Sequence, residues 1–305
     1  MENIPNRTRE ISILKIAEKK FLGKILSKRS RDHILRYPVP MAVIAFDYIG
    51  NEIAINGIYE LEELENIFNL LTGFKNDFKN GTACDIGANI GNHSRYLADK
   101  FNRVVSFEPN PLITDILKYN TKFFPNITVF DNAIGDFQGS AVISGNRLNI
   151  GGFTALRNQN FPNQDSAERG LGSSSVKIFT LDSFLEHLDN LQFIKIDVEG
   201  FEMKVINGAA QTIFKFKPII AFEQWPSDFV DSKSKVIEAL IEMGYVFFWQ
   251  TDYSSSKRRI IKLLYKLIQI VIGIKRTIFN NSTNVPPGHY SLLVAVHNSK
   301  ISRIK

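Results

Sequence analysis

The segment Thr82–His93, with the sequence TACDIGANIGNH, constrains the fold of this chain more than any other segment. Small or apolar residues lead into it, and Gly87 and Gly91 follow within a few positions. This order predicts a buried strand that ends in a tight loop, because glycine permits backbone conformations and close approaches that other residues do not. Asn92 or Ser94 is placed to cap the next helix. We therefore predict that a nucleotide-like cofactor binds at this loop.

Short apolar runs and helical patterns alternate after residue 82. This alternation requires right-handed crossovers, so it predicts an α/β fold with a mostly parallel sheet and helices on both faces. The predicted strands are Thr82–Ile86, Arg103–Phe107, Ile127–Asn132, Phe193–Val198, Pro218–Glu223, Tyr245–Trp249 and His289–His297.

Both ends of the chain depart from this alternation. Residues 8–28 have the period of an amphipathic helix, and Met41–Ile55 resembles a β-hairpin with a glycine-containing turn. Lys257–Phe279 predicts a basic amphipathic helix with one apolar face. The expected organisation is an N-terminal helix and hairpin extension, residues 1–57, followed by one domain, residues 58–305, with a basic helical insertion at residues 254–287.

Charge is unevenly distributed along the chain. Residues 1–36 carry ten Lys and Arg against four Asp and Glu, residues 37–252 carry 17 against 27, and residues 253–305 carry ten against none. Basic ends around an acidic centre predict an anionic partner surface, either lipid or nucleic acid. Nucleic acid is the weaker candidate, because the basic segments carry aliphatic rather than stacking faces and the expected site is acidic.

The single cysteine, Cys84, excludes an internal disulfide framework and a cysteine zinc site, and is typical of a reducing compartment. The N-terminus lacks the apolar core of a signal peptide, and the run Leu267–Ile274 is too short to span a bilayer. We therefore expect a cytoplasmic protein. The basic helix at 257–279 adds the hypothesis that the protein attaches peripherally to the anionic inner face of the membrane.

Acidic residues distinguish between two kinds of cofactor. Asp85 opens the glycine loop, and this loop has two glycines where a dinucleotide fingerprint has three. A carboxylate here would repel a pyrophosphate but suits the ammonium and sulfonium of S-adenosylmethionine (SAM), whose own carboxylate can lie at the helix N-terminus. Glu108, at the end of the next strand, is placed to bind two ribose hydroxyls. Together the two carboxylates favour SAM.

Polar residues also follow the later strands. Asn132 lies at the end of the third strand, where it can reach an adenine ring or form an ordinary turn. Asp197 ends the fourth strand and Glu223 the fifth, and open α/β sheets bind ligands beyond the carboxyl ends of their strands. Glu199 and Glu202 extend the acidic cluster, or serve only the dipole of the following helix.

Four motifs occur in a fixed order: Asp-Ile-Gly-Ala-Asn-Ile-Gly-Asn-His from residue 85, Ser-Phe-Glu-Pro-Asn-Pro from 106, Asn-Ala-Ile-Gly-Asp from 132, and Ile-Lys-Ile-Asp-Val-Glu-Gly-Phe-Glu from 194. In this order and spacing, the chain resembles the FkbM family of SAM-dependent methyltransferases over about residues 57–250. The resemblance implies a class I methyltransferase (Rossmann-like) fold, whose seven-stranded sheet has an antiparallel last strand. It also implies methyl transfer to a hydroxyl of a sugar, polysaccharide or secondary metabolite.

The resemblance also implies site residues. The candidate cofactor contacts are Asp85, Gly87, Ala88, Asn89, Gly91 and Asn92 on the methionine side, Glu108 at the ribose, and Asn132 and Ala133 near the adenine. Asp197 would lie nearest the transferred methyl group. Residues 1–40 and the basic helix lie outside the family's pattern.

Methyl transfer to a hydroxyl is an in-line displacement, so the acceptor oxygen must be aligned and its proton removed. Asp197 is the first candidate for the base, and Glu223 is its substitute or a sugar ligand. His93 is a further candidate, because histidine titrates near neutral pH, although its position also suits a helix start. No dedicated metal site is predicted; a metal-assisted route through the acidic cluster is the alternative mechanism. A peripheral membrane-binding or scaffolding protein that retains the fold without catalysis is the alternative function.

Overall fold

A computed structural model describes residues 13–37, 39–45, 47–146, 149–156, 173–252 and 277–304. The contacts divide the chain into two compact units, Met1–Tyr59 and Glu60–Lys305. Within the described ranges, every helix is too short or too polar to traverse a lipid bilayer.

The described part of the N-terminal unit contains two helices, α1 (Ile13–Arg36) and α2 (Tyr48–Asn56). The predicted hairpin is therefore wrong, because α2 occupies the segment where its turn and second strand were expected. Gly50 lies inside this helix, and a Cβ at this position would collide with the carbonyl oxygen of Ile44. Ile53, three residues later, is buried with Gly50. This packing at helical spacing outweighs the β-propensity of the isoleucines.

The second unit alternates helices with strands. Its helices are α3 (Leu61–Leu70), α4 (Lys75–Lys79), α5 (Asn92–Ala98), α6 (Pro111–Thr121), α7 (Glu202–Gly208), α8 (Ala210–Phe216) and α9 (Lys235–Glu242). Its strands are β1 (Thr82–Ile86), β2 (Arg103–Phe107), β3 (Ile127–Phe130), β4 (Ala133–Ile134), β5 (Gly139–Asn146), β6 (Asn149–Leu156), β7 (Ser173–Phe179), β8 (Leu191–Ile196), β9 (Ile219–Gln224), β10 (Phe229–Val230), β11 (Lys233–Ser234), β12 (Tyr245–Asp252), β13 (Thr277–Ser282) and β14 (Tyr290–His297).

The central sheet has the order β13-β12-β14-β9-β8-β1-β2-β3. Strands β9, β8, β1, β2 and β3 pair in parallel, whereas β14 runs antiparallel to both β9 and β12. All seven expected strands are present, and the last of them is antiparallel, which confirms the predicted fold class. An eighth strand, β13, extends the edge by pairing antiparallel with β12.

Strand β13 also corrects the boundaries of the predicted helical insertion. Residues 277–282 are extended and paired with β12, so the predicted helix does not extend to Phe279. Thr277, Ile278 and Phe279 are β-branched or aromatic and suit a strand. Most of the predicted basic helix, residues 257–276, lies outside the described residues.

A smaller sheet, in the order β4-β7-β5-β6, is formed by the chain between β3 and β8. Strands β5 and β6 pair antiparallel and form a hairpin in this smaller sheet.

The core lies along the parallel strands, which are apolar because both faces of the sheet are covered. Strand β1 is buried along its whole length, and Ile86, Val105, Ile194 and Ile220 are almost completely inaccessible. Burial raises the pKa of the Cys84 thiol, so this side chain is an unreactive packing residue. These buried strands fix the positions of the polar residues that follow them.

Candidate active site

The candidate site lies at the carboxyl edge of the sheet, which we define as the carboxyl ends of β1, β2, β3, β8 and β9. Strand order reverses between β1 and β8, and such switch points form ligand crevices. Gly87 follows β1 with a φ of 79°, and a Cβ there would collide with the carbonyl oxygen of Asp197. The Asp197 N–H donates to the Ile86 carbonyl at 3.0 Å. The glycine loop and the last acidic motif are therefore adjacent.

A buried lysine connects the carboxylates on either side of this switch point. Lys195 Nζ lies 3.3 Å from Asp85 Oδ1 and 3.2 Å from Asp197 Oδ2, and it donates to the Gly87 carbonyl at 2.9 Å. Burial opposes the charged form, but attraction by Asp197 and then Asp85 outweighs it, so the pKa of Lys195 is raised. Lys195 therefore remains an ammonium and compensates the buried charge of Asp85.

The Asp85 carboxylate is fully buried. Its Oδ2 accepts a 2.6 Å hydrogen bond from Ser94 Oγ, and Ser94 Oγ accepts one of 2.8 Å from Ser106 Oγ. This chain joins β1 to α5 and β2. The contacts of Asp85 are thus with Lys195 and Ser94, within the protein.

Glu108 follows β2 and contacts the glycine loop directly. Its Oε2 accepts from the Asn89 N–H at 3.0 Å, and its Oε1 accepts from the Asn110 N–H at 2.9 Å. Burial raises the pKa of Glu108 to about 7, although both backbone hydrogen bonds oppose the shift. Asn89 itself has a φ of 48°, a strained value for a residue with a side chain. Gly91, with a φ of 91°, completes the turn into α5.

The structure places the other predicted cofactor residues around this loop or at the next strand end. Ala88 and Asn92 are buried in and after the loop. Asn132, between β3 and β4, and Ala133, at the start of β4, are half-buried. His93 is also buried, and its Nε2 lies 3.2 Å from Oε2 of Glu60, immediately before α3.

Four carboxylates surround the far side of the switch point, and we call them the acidic rim: Asp197, Glu199, Glu202 and Glu223. Burial, followed by the charge of Asp197, raises the pKa of Glu223 to about 8, and Glu199 and Glu202 add to the shift. Glu202 accepts from the Val198 and Gly200 N–H groups at 3.3 and 3.2 Å, so it stabilises the turn before α7.

Across the described residues, no group of three His, Cys, Asp or Glu side chains is arranged to hold a metal ion.

Trp225 and His289 lie next to the acidic rim. Their ring centroids are 4.1 Å apart, and His289 Nε2 lies 3.6 Å from Glu223 Oε1. Strand β14 places Tyr290 opposite Gln224 of β9, which brings His289 towards Trp225. Trp225 remains 44% exposed.

The sequence alone predicted no role for Lys195, Glu60 or His289. A lysine within an apolar strand, two residues before Asp197, is a signal that could have identified Lys195, because buried lysines are paired. Glu60 and His289 are distant in sequence from their partners, and only the tertiary structure brings them to the site.

The model of the family described as "Methyltransferase FkbM domain" matches residues 85–247. The chain belongs to this FkbM methyltransferase family. The matched range of the FkbM domain includes the glycine loop, Glu108, Lys195 and the acidic rim, whereas Glu60 and His289 lie outside it.

The chain is similar to the hexuronic acid methyltransferase AglP of Haloferax volcanii, with 31% identity over 131 residues. That alignment covers 42% of this chain and 50% of AglP, so the chain spans half the length of this curated relative. A methyltransferase FkbM from Methylobacillus flagellatus is 22% identical over 48% of this chain and 33% of its own, with a TM-score of 0.33. The magnesium protoporphyrin IX methyltransferase of Synechocystis is 8% identical, with a TM-score of 0.41 over 96% of this chain and 100% of its own.

Proposed function

We propose that this chain transfers a methyl group from SAM to a hydroxyl group of a saccharide. The observation that carries the proposal is the contact between Glu108 and the glycine loop at the switch point of an FkbM-family sheet. The glycine loop follows β1, and Asp197 follows the neighbouring strand β8. The similarity to AglP, named as a hexuronic acid methyltransferase, supports a saccharide acceptor.

The residues present fit SAM by the chemistry of their donors and acceptors. A carboxylate offers about four lone-pair positions, and one N–H hydrogen bond to each Glu108 oxygen leaves acceptor capacity for ribose hydroxyls. The raised pKa of Glu108 reflects burial without enough donors, which a pair of hydroxyls would supply. The loop at Gly87, Asn89 and Gly91 would hold the methionine part, and Asn132 and Ala133 would lie near the adenine. The sulfonium of bound SAM supplies the methyl group.

Asp85 would act on the cofactor indirectly. It holds Lys195, whose ammonium also binds the Gly87 carbonyl and Asp197. Through these contacts Asp85 fixes the relative positions of the glycine loop and the acidic rim. We therefore expect Asp85 to be a positioning residue.

Asp197 and Glu223 are the two candidates for the residue that takes the acceptor proton. Asp197 is 36% exposed, and its Oδ2 is paired with Lys195. Glu223 is 16% exposed, and its pKa of about 8 lies close to the range in which a general base is effective. We therefore assign proton removal to Glu223 and orientation of the hydroxyl to Asp197. Because His93 is buried against Glu60, it is the weakest of the three candidates.

Isothermal calorimetry with SAM, combined with methylation of a saccharide panel, tests the proposal. We expect Glu223→Gln to bind SAM like the wild type and to lose about 10²–10⁴ in kcat. We expect Glu108→Ala to lose SAM binding, because the ribose acceptor is removed. If the wild type does not bind SAM, the proposal fails and the non-catalytic scaffolding alternative gains support. A loss of turnover in EDTA would instead favour the metal-assisted route.

A second proposal concerns location: a cytoplasmic enzyme attached to an anionic membrane surface. No residue of α1 is buried, and Leu14 and Phe21 are 81% and 66% exposed among lysines. Apolar contact with the lipid favours membrane binding by such a helix, and each basic residue near anionic lipid contributes roughly 1 kcal/mol to the binding free energy. Co-sedimentation with phosphatidylserine liposomes tests this, with neutral phosphatidylcholine liposomes as the control. If the full chain does not sediment with the anionic liposomes, the membrane proposal is rejected.

A further inference from the structure

We propose that the exposed indole of Trp225 is the platform on which the acceptor's pyranose ring stacks, and that the acidic rim beside it selects uncharged sugars over uronates and sugar phosphates. This inference rests on the proposed function and specifies the substrate class of the same site.

Trp225 is exposed but held in one position. Its backbone N–H donates to Asp228 Oδ2 at 2.7 Å, its side chain hydrogen-bonds Glu223, and its ring packs against His289 at a centroid distance of 4.1 Å. An exposed aromatic side chain usually gains little from such restraint. A rigid aromatic surface does, however, reduce the entropy that is lost when a ligand stacks on it. The geometry is therefore that of a preformed binding surface.

The position of Trp225 suits the acceptor rather than the cofactor. Trp225 immediately follows β9, on the opposite side of β8 from the glycine loop and Glu108. It adjoins Glu223, which also lies within the field of Asp197. A sugar ring on this platform would direct its hydroxyl groups towards the two carboxylates to which we assign proton removal and orientation.

The charge around the platform limits which sugars it accepts. The acidic rim contributes four carboxyl groups, of which Glu223, with its pKa of about 8, is mostly protonated near pH 7. The ammonium of Lys195 is already shared between Asp197 and the buried Asp85, so Glu199 and Glu202 add negative charge that it does not balance. His289 is paired with Glu223. A carboxylate or phosphate on the sugar would meet this surplus of negative charge at short range, which opposes binding. The inferred acceptor thus differs from the hexuronic acid in the name of AglP.

Intrinsic fluorescence can detect stacking, because the chain contains two tryptophans and Trp249 is only 7% exposed. The probes are the methyl glycosides of glucose, galactose, mannose and rhamnose, together with methyl glucuronide, each titrated in the presence of S-adenosylhomocysteine. We expect at least one neutral glycoside to change the emission of the wild type and not that of Trp225→Phe. If no neutral glycoside changes it, or methyl glucuronide binds as tightly, the inference is wrong.

Kinetics provide the second test, with the best neutral acceptor. We expect Trp225→Ala to raise KM about tenfold with kcat changed less than about threefold, and Trp225→Phe to recover most of the loss. Phe214→Ala is the matched control, because Phe214 is an aromatic residue 82% exposed on α8, which leads into the opposite end of β9. An unchanged KM in Trp225→Ala would overturn the platform while leaving the methyltransferase proposal intact. Failure of the wild type to bind SAM would remove the methyltransferase proposal, and the fluorescence test would still decide on the platform.

Discussion

Lys195→Met removes the ammonium that connects the two sides of the site, and its effect can be predicted from burial alone. The lysine side chain is 4% exposed and its partner Asp85 is fully buried, whereas Asp197 is 36% exposed. After the substitution, water can solvate Asp197 but not Asp85. The energetic cost should therefore come almost entirely from the uncompensated charge of Asp85.

Removing one partner of a buried ion pair typically costs about 3–5 kcal/mol, and removing an exposed one costs less than about 1 kcal/mol. We expect Lys195→Met to lower the free energy of unfolding by about 3–5 kcal/mol, as for a buried pair. Adding Asp85→Asn should restore most of this loss, because the amide oxygen can still accept from Ser94 while the charge disappears. Adding Asp197→Asn should restore little.

Urea unfolding at pH 7, followed by circular dichroism, measures these differences. The comparison of the two double variants is the sensitive part, since both remove one carboxylate from the same lysine. Equal rescue by Asp85→Asn and Asp197→Asn would contradict the reasoning. So would a Lys195→Met variant as stable as the wild type.

Three further predictions concern the glycine loop, Glu223 and Glu108. Gly87→Ala should unfold the loop and abolish SAM binding in calorimetry, because its Cβ would collide with Asp197. The control is Gly200→Ala, because Gly200 has a similar φ of 90° and no atom lies within 4 Å of its Cβ position. This variant should bind SAM normally and lose only about 1 kcal/mol of unfolding free energy. The kcat/KM of the wild type should rise with pH through about 8, the pKa of Glu223, because the base must lose its proton first; a flat profile from pH 6 to 9 would point away from Glu223. The pKa of Glu108 is raised from 4.5 to about 7, so the folded state favours its protonated form. Relative to Glu108→Gln, the wild type should therefore lose about 3 kcal/mol of unfolding free energy as pH rises from 4.5 to above 7. A difference in unfolding free energy between the two proteins that does not change with pH would refute this.

The sequence was sufficient to predict which residues meet at the carboxyl edge of the sheet. Asp85, Glu108 and Asp197 each follow or end an apolar run, and parallel strands bring such positions together. The confirmed fold class rests on the same regularity, since short buried strands between helices leave few topologies. Local pattern was informative here because strand, turn and helix signals agree.

Local sequence pattern did not predict the structure where contacts between residues distant in sequence determine it. The isoleucines around Gly50 favour a strand, yet Tyr48–Asn56 is a helix, in which the missing side chain of Gly50 admits the close approach of the Ile44 carbonyl. The pairing of Trp225 with His289 depends on an antiparallel register set some sixty residues later in the chain. Nor does sequence indicate that Asp85 points inward to Lys195, because a carboxylate at a strand end looks the same whether it binds a ligand or a lysine.

Glu108 and Glu223 share a property that links binding to protons. Each is desolvated and has a pKa near or above neutrality, so each gains from new hydrogen-bond donors. Ribose hydroxyls that donate to Glu108 would favour its anion and lower its pKa, and a proton would then leave the protein as SAM binds near pH 7. Calorimetry in buffers with different ionisation enthalpies measures this release directly. We expect the observed binding enthalpy to depend on the buffer in the wild type at pH 7, and much less at pH 9, where Glu108 is already ionised. A binding enthalpy independent of buffer at pH 7 would place the ribose away from Glu108.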